Sequence, residues 1–178
     1  NILELGFGTG LNVLVTIDAY LKTDKNHTIH YYTVEKYPVL PQEIAALNYP
    51  SLFDNGDFEK FSDVIHTSPW QSKTEILPGF FLTKFETDFY QIGDLPLPGI
   101  DLVYYDCFGA RVQPDLWETP MLSIVAETMK IGGLLTTYAS KGSLRRNLQH
   151  LGFEVIKKDG PPGKREMINA VKKSLDDK

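Results

Sequence analysis

Asn1-Ile2-Leu3-Glu4-Leu5-Gly6-Phe7-Gly8-Thr9-Gly10-Leu11-Asn12 opens the chain, and its reading decides the fold. A short apolar run carries one acid, Glu4, and leads straight into three glycines at alternate positions. Beyond them Leu11, Leu14, Val15 and Leu21 recur at helical spacing. The segment therefore reads as a strand, a glycine loop and a helix. Glycines at such a junction permit a tight turn and let a ligand lie against bare main chain, because no Cβ intervenes. Dinucleotide-binding loops use G-x-G-x-x-G, whose third glycine packs helix on strand. Here that position is Leu11, and the spacing is G-x-G-x-G.

Outward from this loop the pattern alternates. Strands are expected at 28–35, 74–77, 80–86, 101–106, 134–139, 153–157 and 167–171. Helices are expected at 41–48, 57–66, 116–129 and 143–151, with the third stopped near Gly132-Gly133. Pro78-Gly79 between two β-like runs reads as a hairpin turn, and Gly160-Pro161-Pro162-Gly163 as a rigid turn. Strands alternating with helices imply an α/β fold: a mainly parallel, twisted sheet with helices on both faces. The last two strands lie too close in sequence for a parallel crossover, so the C-terminal strand is expected to be antiparallel.

With 178 residues, 42% hydrophobic and 23% charged, the chain is expected to form a single domain over residues 1–178. Because it opens on a strand, a further N-terminal segment is expected to precede it. There is no apolar run of transmembrane length, so no membrane partner is expected. One cysteine, Cys107, excludes an intrachain disulfide and suits a reducing, cytoplasmic compartment. The four histidines lack metal-ligand spacing, and no metal is expected. Net charge is −5, but it is unevenly spread. Residues 1–129 hold 7 Lys and Arg against 18 Asp and Glu, a balance of −11; residues 130–178 hold 11 against 5, a balance of +6. The late cations fall into Lys141/Arg145/Arg146, Lys157/Lys158 and Lys164/Arg165. Anion binding follows local potential, so a solvated face and a phosphate-binding face are both open.

Several motifs fix the chemistry more closely. An acid before G-x-G-x-G, here Glu4, resembles the first motif of the class I methyltransferases. The resemblance implies a Rossmann-like fold and S-adenosyl-L-methionine as cofactor. It implies that Glu4, Gly6, Phe7, Gly8, Thr9, Gly10 and Asn12 pack against the amino-acid end of that molecule. Glu35, at the end of the second strand, would take the ribose diol, since one carboxylate can accept both hydroxyls. Glu86, with Asp88 as its rival, would meet the adenine. Asp106-Cys107-Phe108 has the form of an N-methyltransferase strand end, in which the acid orients the target nitrogen and the aromatic ring stacks on the substrate. Asp106 would border the cofactor as well. Cys107 reads as a small packed residue rather than a nucleophile, because Asp106 beside it disfavours the thiolate.

A narrower resemblance follows from Gly6-Phe7-Gly8-Thr9-Gly10-Leu11-Asn12, Asp106-Cys107-Phe108, Pro114-Asp115-Leu116-Trp117, Gly132-Gly133, Thr137-Tyr138-Ala139-Ser140-Lys141-Gly142 and Gly160-Pro161-Pro162-Gly163-Lys164-Arg165-Glu166-Met167. Together these resemble the methyltransferase module of the MnmC-type enzymes, in its stand-alone form. Ala110 and Gln113 depart from that pattern, where proline and asparagine are usual. The resemblance implies methylation of the 5-aminomethyl group of wobble 2-thiouridine in tRNA. Asp106 and Phe108 would be catalytic, and Lys141, Arg145, Arg146, Lys164 and Arg165 would hold anticodon-loop phosphates. A separate enzyme would supply the aminomethyl-uridine. Two rival readings keep the fold: a small-molecule N- or O-methyltransferase, and a non-catalytic cofactor-binding module.

Overall fold

The computed structural model describes residues 1–24, 26–109, 111–160 and 166–174. In chain order the elements are β1 (Ile2–Leu5), α1 (Leu11–Leu21), β2 (Ile29–Glu35), α2 (Pro41–Ile44), α3 (Phe58–Thr67), β3 (Lys73–Leu77), β4 (Phe80–Glu86), β5 (Ile100–Tyr105), α4 (Thr119–Thr128), β6 (Met129–Thr137), α5 (Gly142–His150), β7 (Phe153–Asp159) and β8 (Glu166–Lys172). Short 3-10 helices occupy Tyr49–Leu52, Phe89–Asp94 and Pro114–Trp117. None of the described helices is long and apolar enough to cross a membrane. The fold is Rossmann-like α/β, mainly parallel, with an antiparallel strand near the C-terminus.

The chain forms two compact units, one of Asn1–Gly6 with Asp88–Lys178 and one of Phe7–Thr87. In the first, the strands run in the order β1-β5-β6-β8-β7. β1 pairs parallel with β5, and β5 with β6. β8 slots between β6 and β7 and is antiparallel to both. Leu3, Leu5, Val103, Tyr105, Leu135, Ile168 and Ala170 are buried, as are Met121, Leu122 and Val125 of α4 and Leu144 and Leu148 of α5. β1 is buried along its whole length, which explains its nearly unbroken apolar sequence.

In the second unit the order is β3-β4-β2, with β2 parallel to β4 and β3 antiparallel to it. The β3–β4 hairpin turns at Pro78-Gly79, and Gly79 has φ +82, the left-handed value that the second central residue of such a turn requires. Val13, Leu14 and Ile17 of α1 and Phe58, Phe61 and Ile65 of α3 are buried with Tyr31, Val34 and Leu82. Val15, read as part of the apolar stripe of α1, is instead 50% exposed.

Two expectations are corrected. The helix read over 41–48 is regular only across Pro41–Ile44, because no apolar face follows to bury it: α2 has no buried residue. The helix read over 116–129 begins as a 3-10 turn, restarts at Thr119 and ends at Thr128. Gly132-Gly133 do not stop that helix. They lie inside β6, where the β5 register shifts between Ile100 and Leu102. A Cβ on Gly133 would stand 2.9 Å from the Lys130 carbonyl oxygen and 3.0 Å from that of Ile100. The glycine therefore marks a close backbone approach within a strand. Of the turn read at 160–163, residues 161–163 lie outside the described residues.

Candidate active site

β1 ends at Leu5, and the next five residues build the loop that the sequence singled out. Gly6, Gly8 and Gly10 have φ of +95, +49 and +75. This alternation is closed to residues bearing a Cβ without strain. Gly10 is also sterically fixed: a Cβ there would meet Ile65 Cδ1 at 2.9 Å and His66 Cε1 at 3.3 Å. Gly8 differs, because nothing lies within 4 Å of where its Cβ would stand. Its N–H is nevertheless engaged, donating to Glu35 Oε2 at 3.1 Å. The other Glu35 oxygen accepts from the Tyr37 N–H at 2.9 Å. Glu35 is half-buried, and each oxygen retains a lone pair for a further donor.

Beside this pair the second unit opens a cavity of about 590 Å³. Phe7 and Gly8 form one wall, the segment from Lys36 to Pro41 with Ile44 another, and His66, Trp70, Lys84 and Glu86 complete it. Phe7 packs edge-on against His66 and Trp70. Thr9 Oγ1 shares a 3.1 Å hydrogen bond with the Tyr49 hydroxyl. Burial holds His66 below the usual imidazole range, the Lys84 charge lowers it further, and a hydrogen bond to the Thr9 backbone partly opposes both. Glu86 lines the cavity, whereas its rival Asp88 caps the 3-10 helix at Phe89–Asp94 by accepting from the Tyr90 N–H at 3.0 Å. Glu4 is fully buried within β1, and the Asn12 carbonyl accepts from Thr16 Oγ1 at 2.6 Å.

In the first unit the register Leu5↔Tyr105 brings the two strand ends side by side. Gly6 consequently lies against the Asp106 carbonyl, 3.6 Å from where its Cβ would be. Asp106 is exposed, and Phe108 is 68% exposed. The segment carrying them is tied down. The buried Tyr105 hydroxyl donates to the Leu116 carbonyl, and Trp117 Nε1 donates to the Phe108 carbonyl at 2.9 Å. Asn147 of α5 in turn donates to the Trp117 carbonyl at 3.2 Å. Burial pushes the Cys107 thiol up to about 12, with the Asp106 charge adding to the shift.

Lys141 precedes α5, and Arg145 and Arg146 lie on its exposed side, opposite the buried Leu144 and Leu148. Lys157 is paired with Glu166 at 2.8 Å. Lys164 and Arg165 lie outside the described residues. Sequence reasoning missed His66, Trp70 and Lys84. A signal for Lys84 was present: it follows Phe80 and Leu82 at the two-residue period of one strand face, and all three are buried.

Comparison with known proteins bears on this geometry. Residues 88–173 match a family model described as S-adenosyl-L-methionine-dependent methyltransferase. A relative from Leptospira borgpetersenii, the tRNA 5-methylaminomethyl-2-thiouridine biosynthesis bifunctional protein MnmC, is 32% identical over 172 residues, covering 94% of this chain. The protein of the same name from Paracidovorax citrulli is 31% identical over 180 residues, covering 95% of this chain. The chain is thus similar to S-adenosyl-L-methionine-dependent methyltransferases over its second half and to the MnmC proteins over nearly all of its length. It spans about a quarter of these relatives, 26% and 27% of their lengths. Among solved structures, MNMC2 from Aquifex aeolicus superimposes with a TM-score of 0.75 at 21% identity, over 97% of this chain and 53% of that one.

The cofactor of these methyltransferases is S-adenosyl-L-methionine, and the residues present fit it. The open space at Gly8 leaves the loop backbone approachable. Glu35 has acceptor capacity for a diol, and the adjoining cavity has aromatic walls and a carboxylate suited to a nucleobase with an exocyclic amine.

Proposed function

We propose that this methyltransferase transfers a methyl group to the exocyclic amine of a 5-aminomethyl-uridine at the wobble position of tRNA. The observation that carries the reading is the G-x-G-x-G loop whose Gly8 N–H is held by Glu35 beside open space. The names of the relatives supply the substrate class. The cofactor contributes an electrophilic methyl group on a sulfonium. Glu35 binds the ribose hydroxyls, and Glu86 meets the adenine amine. Asp106, an exposed carboxylate at a strand end, orients the substrate amine and accepts its proton as the nitrogen is alkylated. Phe108 offers an exposed ring on which a splayed-out base stacks. The held main chain around Phe108 serves alignment, which can supply about 7–11 kcal/mol of a transfer barrier. Lys141, Arg145 and Arg146, with Lys164 and Arg165, hold loop phosphates. The reaction consumes an aminomethyl group, which another activity must supply.

Asp106→Ala tests the reading with tRNA bearing 5-aminomethyl-uridine. Turnover is expected to fall about 100-fold or more, while S-adenosylhomocysteine binding stays at the wild-type level. Mass spectrometry of the nucleosides should show the methylated amine accumulating far faster with the wild-type protein. Wild-type turnover in the variant would remove Asp106 from the reaction.

A further inference from the structure

The glycine loop is braced by groups that belong to no motif, and one of them is a cation. Lys84 is 1% exposed. Its Nζ donates to the Ile65 carbonyl at 2.7 Å and the His66 carbonyl at 3.1 Å, both in the last turn of α3. The same nitrogen stands 4.9 Å from the centre of the Trp70 ring and 5.4 Å from that of Phe7. The Lys84 carbonyl accepts from the Gln71 N–H at 2.7 Å, and among the described residues Gln71 is the one non-glycine with a left-handed φ, +56. A single residue thus grips the end of α3, the turn that carries Trp70, and the Phe7 ring of the loop.

Burying an ammonium costs free energy unless its charge is compensated. Here compensation comes from two carbonyls at the negative end of a helix dipole and from aromatic faces. Burial also draws its pKa down to about 8. A leucine or methionine would fill the same volume without that penalty, so packing alone gives no reason for a cation. What a cation adds is attachment: it holds two ring faces and two carbonyls at one point in the wall of the cavity.

We propose that Lys84 is a positioning residue for the cofactor pocket, pinning Trp70 and the end of α3 to Phe7 and so fixing the surface on which the nucleoside rests. This inference rests on the cofactor reading given above. It is tested by calorimetric titration of the intact chain with S-adenosylhomocysteine. Lys84→Met should weaken Kd about tenfold, the scale of one desolvated cation–π contact. In turnover, KM for S-adenosyl-L-methionine should rise by a similar factor with kcat at saturation unchanged, and Lys84→Arg should recover part of the loss. Trp70→Leu should weaken Kd comparably, and the double variant should lose little more. A folded Lys84→Met with wild-type Kd overturns the proposal. If that variant does not fold, wild-type Kd in both Lys84→Arg and Trp70→Leu overturns it. If the wild-type chain binds no S-adenosylhomocysteine, the cofactor reading falls first and this inference with it.

Discussion

Lys84 and Cys107 show how burial retunes single groups in opposite directions. For Lys84 the neutral amine is favoured, and the pKa falls to about 8. An unfolded lysine titrates near about 10.4. Between those values the unfolded chain binds more protons, so this residue's contribution to stability rises as pH increases from about 8 and levels off above about 10.4. Urea unfolding at pH 7.5 and 9.5 should show this increment in the wild-type chain, and Lys84→Met should lack it. For Cys107 burial favours the neutral thiol, with a pKa of about 12. Only a trace of thiolate then exists at pH 8, so alkylation by iodoacetamide should be at least 100-fold slower than for a free cysteine near about pKa 8.5. Rapid labelling of the native chain would contradict this assignment of the thiol as packed. The reading of Cys107 as a packed residue was available from its acidic neighbour alone. Lys84 was not, because an isolated lysine in a strand carries no pattern until the burial of its neighbours is known.

Among the elements, two helices end by borrowing. α3 is closed by Lys84 from β4, and α4, which has no basic residue in its last turn, is closed by Lys172 from β8. Lys172 Nζ donates to the carbonyls of Ala126 and Met129 at 2.7 and 2.8 Å. Lys172→Met should therefore lower stability by about 1–2 kcal/mol, through two carbonyls left without their charged donor. Thermal unfolding monitored by circular dichroism checks it, and an unchanged Tm would assign the closure of α4 to other groups. Such borrowed caps are invisible in a local reading, as is the break at Glu118 that leaves the first turn of the expected 116–129 helix 3-10. Gly132-Gly133 misled in the same way. Glycine after a helix suggests a C-terminal cap, but here it serves a strand irregularity whose partner, Ile100, is far along the chain. Elements set by local chemistry were legible: the loop after β1, the Pro78-Gly79 hairpin and the acid ending β2. Those set by contacts distant in sequence were not.

For the molecule as a whole, the charge asymmetry matters most. The last 49 residues carry the positive balance, and α5 presents Arg145 and Arg146 outward beside Lys141. Replacing these three by alanine should weaken tRNA binding and reduce the slope of log affinity against log salt by about two. A slope equal to that of the wild type would leave these cations out of the interface. The arrangement of β8 between β6 and β7 could be read only in part, because sequence proximity implied an antiparallel pair without showing which strand sat inside. The two tryptophans have a practical consequence. Trp70 lies in the wall of the cavity in one unit, and the Trp117 indole N–H is bonded to the Phe108 carbonyl in the other. Each is a native optical reporter, one of the cavity proposed for the cofactor nucleoside and one of the strand end proposed to meet the base. In variants that keep one tryptophan at a time, intrinsic emission with no label attached can therefore time the two proposed encounters separately.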